Sequence, residues 1–140
     1  MDQSSVPLGI WKSSYKYPSS GRSQELEGQH YVRAHRKENH LVFESAAETS
    51  KSYLVIRLSI EDNIATGSWQ EQTDPHGYYK GITYYGALQL VVSSDGKKMT
   101  GKWVGFSKDM DVNVGSWELA YIGKSLPESV IKEHATVRAD

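Results

Sequence analysis

Cysteine is absent from this 140-residue chain. That excludes disulfides, thiolate nucleophiles and the common zinc-ribbon patterns, and leaves stability to packing and backbone pairing. No apolar run approaches the roughly 18 residues that a bilayer-crossing helix requires, so direct membrane insertion by this chain is not expected. The opening Met1-Asp2-Gln3-Ser4-Ser5 lacks the basic, apolar and small-residue segments of a secretory leader, and a cytoplasmic location is the expectation. Charge of either sign is also lacking in excess. Sixteen basic residues against 17 acidic ones give a net charge of -1, which provides no field to gather duplex nucleic acid or anionic lipid. No 11-residue window across 9–122 carries helical periodicity, and no Gly-x-Ser-x-Gly elbow, phosphate loop or dinucleotide fingerprint occurs.

What the chain does have is tyrosine and tryptophan, nine and four against two phenylalanines. Rings with a polar handle suit half-buried cavity walls. A length of 140 residues fits one domain with one core. Eight β-type runs follow in order, at about 10–17, 25–36, 40–46, 53–60, 64–72, 81–93, 97–107 and 112–122. The clearest is the fourth, where Leu54, Ile56, Leu58 and Ile60 alternate with Tyr53, Val55, Arg57 and Ser59 at the period of a half-buried strand. Turn chemistry separates the runs, as at Pro18-Ser19-Ser20-Gly21, Asp62-Asn63 and Ser94-Asp95-Gly96.

Eight consecutive strands with mostly short connections predict an all-β, antiparallel up-and-down barrel, whose closure removes aggregation-prone edges. An open two-layer sandwich is the rival. Residues 1–8 read as a flexible lead-in, 9–122 as the barrel, and 123–140 as a tail. Within that tail Ser125, Pro127 and Glu128 favour a short helix over 125–134.

The tripeptide Gly-x-Trp occurs four times, at Gly9-Trp11, Gly67-Trp69, Gly101-Trp103 and Gly115-Trp117, and uses every tryptophan. Glycine leaves room beside an indole and lets a strand coil sharply at a barrel corner. A core role is the leading reading for these indoles, and a ligand wall at Trp69 and Trp117 the second.

This opening Gly-x-Trp strand, the meander of eight and the late Gly-x-Trp units resemble the calycin superfamily of lipocalins and avidins. Gly9-Ile-Trp-Lys-Ser-Ser-Tyr15, Glu44-Ser45, Lys51-Ser52-Tyr53, Tyr85-Gly86-Ala87-Leu88-Gln89-Leu90, Met99-Thr-Gly-Lys-Trp103 and Gly115-Ser-Trp117 are similar to the β-barrel sensor domain of CBASS antiphage effectors, which join such a barrel to two transmembrane helices. The same segments look like the carboxy-terminal domain of some bacterial helix-turn-helix regulators. The resemblance to the antiphage effectors implies recognition of a cyclic dinucleotide. The transmembrane pair has no counterpart in this sequence, so membrane activity is not carried over.

Candidate ligand contacts concentrate around 70–85, where Tyr78, Tyr79, Tyr84 and Tyr85 supply stacking faces and Lys80 a cation. Stacking on an aromatic face contributes roughly 1–3 kcal/mol per nucleobase, and the phosphate requires a cation or free amides. Tyr15 adds a ring from the first hairpin. Arg33 and Arg57 are candidates to project into the lumen and orient an anion, beside the leading reading that both are solvated outer-face residues. His30, His35 and His40 lie five apart, which puts neighbours on opposite faces of a strand, and no metal site is expected. Asp109 with Asp111 and Glu71 with Asp74 read as turn and rim carboxylates.

The expectation is therefore a non-enzymatic sensor barrel without a cofactor, binding a small-molecule ligand that is specifically a cyclic di- or oligonucleotide. Binding would order loops and change homo-oligomeric state. Two alternatives remain: the ligand-binding domain of a transcription regulator recognising a metabolite or peptide, and a hydrolase of the nucleotide.

Overall fold

A computed structural model describes residues 5–19, 24–46, 52–73, 82–106 and 112–129. Its eight strands are β1 (Gly9–Ser19), β2 (Gln24–Lys37), β3 (His40–Ser45), β4 (Tyr53–Glu61), β5 (Ile64–Gln72), β6 (Thr83–Val92), β7 (Lys98–Phe106) and β8 (Val112–Gly123). Each pairs antiparallel with the next, and β8 returns to β1, so the sheet closes as an up-and-down barrel. The sandwich is thereby excluded. Closure is a consequence of pattern: on β4, Leu54, Ile56 and Leu58 are fully buried while Tyr53, Arg57 and Ser59 are exposed. A period-2 chain has one dry face, and a closed sheet gives all eight such faces a shared interior.

The two ends of the barrel differ. The connections at 38–39, 62–63 and 93–97 are short turns at one end, whereas 20–23, 46–52, 73–82 and 107–111 all join strands at the other. At the short-turn end the backbone takes left-handed conformations at Glu38, Asp62 and Gly96, with φ of 57°, 56° and 74°. The expected turn residues therefore sit where the turns are.

That end is closed by chain that the sequence places outside the fold. Val6 is 1% exposed and belongs to the main core. Its carbonyl accepts a hydrogen bond from Arg36 Nη2 at 2.9 Å, and the carbonyl of Pro7 accepts one from Trp11 Nε1 at 3.0 Å. Residues 5–8 are thus a plug held by two side chains of the barrel, which replaces the expected free lead-in along this stretch. A second, smaller apolar cluster lies outside the wall, where Leu126 covers Ile10 and Ala46 beside Tyr31. Helical backbone starts at Glu128, and most of the expected terminal helix falls outside the described residues.

Candidate functional site

The half of the lumen nearer the 46–52 and 73–82 connections is aromatic. Alternation points Tyr15 and Tyr17 of β1, Trp69 of β5, Trp103 of β7 and Trp117 of β8 inward, and their rings form a continuous run. Centroids of Tyr15 and Trp117 are 4.6 Å apart, those of Trp117 and Trp69 5.5 Å, and those of Trp69 and Trp103 5.5 Å with the planes at 83°. The edge-to-face Trp69–Trp103 pair adds roughly 0.5–1.5 kcal/mol beyond area burial.

All four indole N–H groups are satisfied inside the protein. Trp117 donates to Ser13 Oγ at 2.8 Å, Trp103 to the Lys16 carbonyl at 2.9 Å and Trp69 to the Val104 carbonyl at 3.2 Å, beside the Trp11 bond already described. The core reading of Gly-x-Trp is the one these contacts support. Trp69 and Trp117 are buried on the inner face, with their donors committed to the wall.

Three polar side chains are buried among these rings. His30 of β2 is 5% exposed, and Glu71 of β5 and Tyr15 of β1 are each 9% exposed. They meet because their strands point them to one place. Tyr15 O–H donates to Glu71 Oε1 at 2.5 Å, and His30 Nε2 lies 3.0 Å from Glu71 Oε2 and 3.3 Å from the Tyr15 hydroxyl. Ser45, at the end of β3, is 3.4 Å from His30 Nδ1 through its Oγ. The same Oγ accepts the Leu54 N–H at 2.8 Å. An ionised carboxylate only accepts, so it is the Glu71 contact that calls for the proton on His30 Nε2. The chain of bonds joins β1, β2, β3, β4 and β5 and ends on a carboxylate.

The residues expected from sequence divide sharply. Tyr15, Trp69 and Trp117 are lumenal, and Tyr84 faces Glu71 across the β5–β6 ladder, its ring partly buried against the core. Tyr85 points outward, 49% exposed and beside Phe106. Arg33 and Arg57 are also on the outer wall, which corrects their candidate placement in the lumen. Val32 and Ala34 flank Arg33, and Ile56 and Leu58 flank Arg57; all four are buried in the core, so alternation forces both guanidinium groups out. Tyr78, Tyr79 and Lys80 lie outside the described residues.

From sequence Glu71 reads as a rim carboxylate, His30 is considered as a metal ligand, and Ser45 enters only as part of a resembling segment. Parity held the missing signal: Glu71 lies two residues from Trp69, and His30 two residues from Val32. Among the described residues no group of three or more His, Asp or Glu is placed to hold a metal ion. No helix among them is long and apolar enough to cross a membrane.

Elsewhere, an open groove of about 440 Å³ crosses the outer faces of β7, β8, β1 and β2, with Lys12, Lys16, Gln29 and Glu118 among its walls. Tyr15 and Trp117 also border it. No protein-family model matches the chain, and no curated protein matches it significantly.

Proposed function

We propose that the barrel is a non-enzymatic cytoplasmic receptor for a small ligand that enters between the longer connections, and that its ligand is a cyclic di- or oligonucleotide of an antiphage signalling system. One observation carries the reading: the hydrogen-bonded Tyr15–His30–Glu71 cluster buried in a largely apolar and aromatic lumen, at the end opposite the 38–39, 62–63 and 93–97 turns.

A buried carboxylate with its partners stabilises a fold less than apolar side chains of the same volume do, because desolvation offsets much of the attraction. A few placed polar groups on an apolar wall are, in contrast, how a small-molecule site fixes orientation. The bases of the ligand take the ring-lined interior, where Tyr84 offers a stacking face. Its phosphates, which hold water strongly, stay at the mouth. With Arg33 and Arg57 on the outer wall, the lumen itself is a site for the base and not for the anion.

The test is thermal unfolding of the protein with a panel of cyclic di- and trinucleotides. A ligand at about 100 times its Kd adds roughly 2.7 kcal/mol to stability, which for a domain of this size is a clear rise in Tm. Recovery of the ligand intact after incubation is expected of a receptor. Unchanged Tm across the whole panel at millimolar ligand would overturn the proposal.

A further inference from the structure

We infer that the outer wall of β6, β7 and β8 is a self-association face and that its occupant is a second copy of this chain. The inference goes beyond the receptor reading and does not depend on it.

Antiparallel register sets six outward apolar side chains in a grid of two rows on three strands. Tyr85 pairs with Phe106 and Phe106 with Val112 in one row, and Ala87 pairs with Val104 and Val104 with Val114 in the other. Leu88, Trp103 and Trp117 take the inner face of the same strands, so alternation fixes the six on the outside. Tyr85 is 49% exposed, Val112 62% and Val114 68%. A sheet with one wet face ordinarily carries polar residues there, and the grid reverses that rule across three neighbouring strands.

Charge sets this wall apart from the rest of the barrel. Ser68 and Gln70 of β5 and Thr83 and Gln89 of β6 border the grid, all exposed and all uncharged. No Lys, Arg, Asp or Glu points outward from the described residues of β5 or β6, whereas β1, β2 and β4 turn Lys12, Lys16, Glu27, Arg33, Lys37 and Arg57 to the outside. An apolar, partly aromatic centre depleted of charge and ringed by neutral polar groups is the anatomy of a protein interface.

The missing charge also selects the partner. In a two-fold dimer the same patch meets itself, and a face of one sign would repel its own copy; a neutral face has no such cost. Sheets packed face to face interdigitate their side chains at about 10 Å, which suits rows set on regular strand spacing. The area agrees. Tyr85, Val112 and Val114 together leave on the order of 300 Å² of surface open, to which the other three grid residues add. A stable interface buries roughly 800 Å² per partner, a little over half of it apolar, so the grid supplies most of the apolar centre that a dimer needs.

Sedimentation velocity of the protein from about 1 to about 200 μM tests the assignment, and a monomer–dimer equilibrium within that range is expected. Val114→Glu and Val112→Glu each put a charge into the centre of the face, and each is expected to weaken association at least tenfold with an unchanged circular dichroism spectrum. Lys37→Glu, on β2 across the barrel, is expected to leave association within twofold of the parent. A monomer at every concentration overturns the proposal and leaves the wall to a different partner. A dimer as tight in the two glutamate variants as in the parent also overturns it, by placing the interface elsewhere. The parent's own concentration series is decisive on the first point even if a variant fails to fold, and none of these outcomes depends on ligand.

Discussion

Trp103 lies across Gly115: its Nε1 is 2.6 Å from the point where a Cβ on residue 115 would stand, and it reaches over β8 to donate to the Lys16 carbonyl of β1. Trp69 repeats the arrangement one step round the barrel, with Nε1 2.9 Å from the Cβ position of Gly86 and bonded to the Val104 carbonyl of β7. In both cases a Cβ would also collide with the carbonyl that receives the indole proton. Glycine, indole and inward-turned carbonyl form one unit spread over three strands. The tripeptide is cross-strand in its use, since Gly101 pairs with Trp117 and Trp103 with Gly115.

Gly115→Ala and Gly86→Ala are therefore expected to destabilise the barrel by about 1–3 kcal/mol each, the range for forced overpacking. Gly123→Ala is the control, because nothing lies within 4 Å of the added methyl. It is expected to stay within about 0.5 kcal/mol of the parent. Urea unfolding followed by tryptophan fluorescence measures all three, and equal effects at residues 115 and 123 would refute the unit.

The plug at the closed end makes a separate demand on Trp11. Trp11→Phe retains an aromatic ring near Phe43 but leaves the Pro7 carbonyl without its indole donor and opens a gap in a fully buried position. A loss of about 2–4 kcal/mol is expected from the missing bond and the cavity together. Hydrogen exchange at residues 5–8 is expected to speed up more than exchange at the β4–β5 ladder, which separates release of the plug from general loosening.

How much of this was open to reading follows from where the decision is made. β4 declares itself, because Leu54, Ile56, Leu58 and Ile60 leave one choice of inner face. Turn residues such as Asp95-Gly96 then set strand order, and closure follows from eight such runs. Along Lys12-Ser13-Ser14-Tyr15 polar residues occupy both faces, so nothing local says that Ser13 is buried and Ser14 is not. Only the parity of Trp11 settles it. The polar cluster was illegible for a different reason: Tyr15 and Glu71 are 56 residues apart, and their meeting depends on barrel diameter and stagger. For Arg33 and Arg57 the local signal is the alternation of their neighbours: Val32, Ala34, Ile56 and Leu58 take the inner face and leave both guanidinium groups outside. Burial of Val6 had no signal in its own short, polar stretch, since its partners come from the Arg36 and Trp11 positions.

Acid sensitivity has a located source at the β6–β7 turn. Asp95 accepts from Ser93 Oγ at 2.6 Å and from the Lys97 N–H at 3.0 Å, and these bonds, Ser93 first, hold its carboxyl below the ordinary value of 3.8. A depressed folded-state value means that the contribution is fully present above the unfolded value and is lost as pH falls through the folded one. Asp95→Asn is therefore expected to flatten part of the stability profile below about pH 4 and to leave the neutral-to-alkaline slope unchanged. Urea midpoints from pH 2 to 8 give the comparison, and a parallel shift at every pH would assign the turn a purely steric role.

Coupling inside the polar cluster can be measured without any ligand. Tyr15→Phe removes the donor to Glu71 Oε1 and leaves a buried carboxylate half satisfied, which is expected to cost about 1–3 kcal/mol. Glu71→Gln keeps the shape but turns one acceptor into a donor facing the Tyr15 hydroxyl or His30. If the three groups act as a unit, the double variant is less destabilised than the sum of the singles, by about 0.5–3 kcal/mol. Tyr17→Phe supplies the comparison, being a neighbouring ring at 5.8 Å from Tyr15 and not a member of the Tyr15–His30–Glu71 cluster. Its cycle with Glu71→Gln is expected to close within about 0.5 kcal/mol. Additivity in the Tyr15 cycle would mean that the hydroxyl and the carboxylate are neighbours by packing alone.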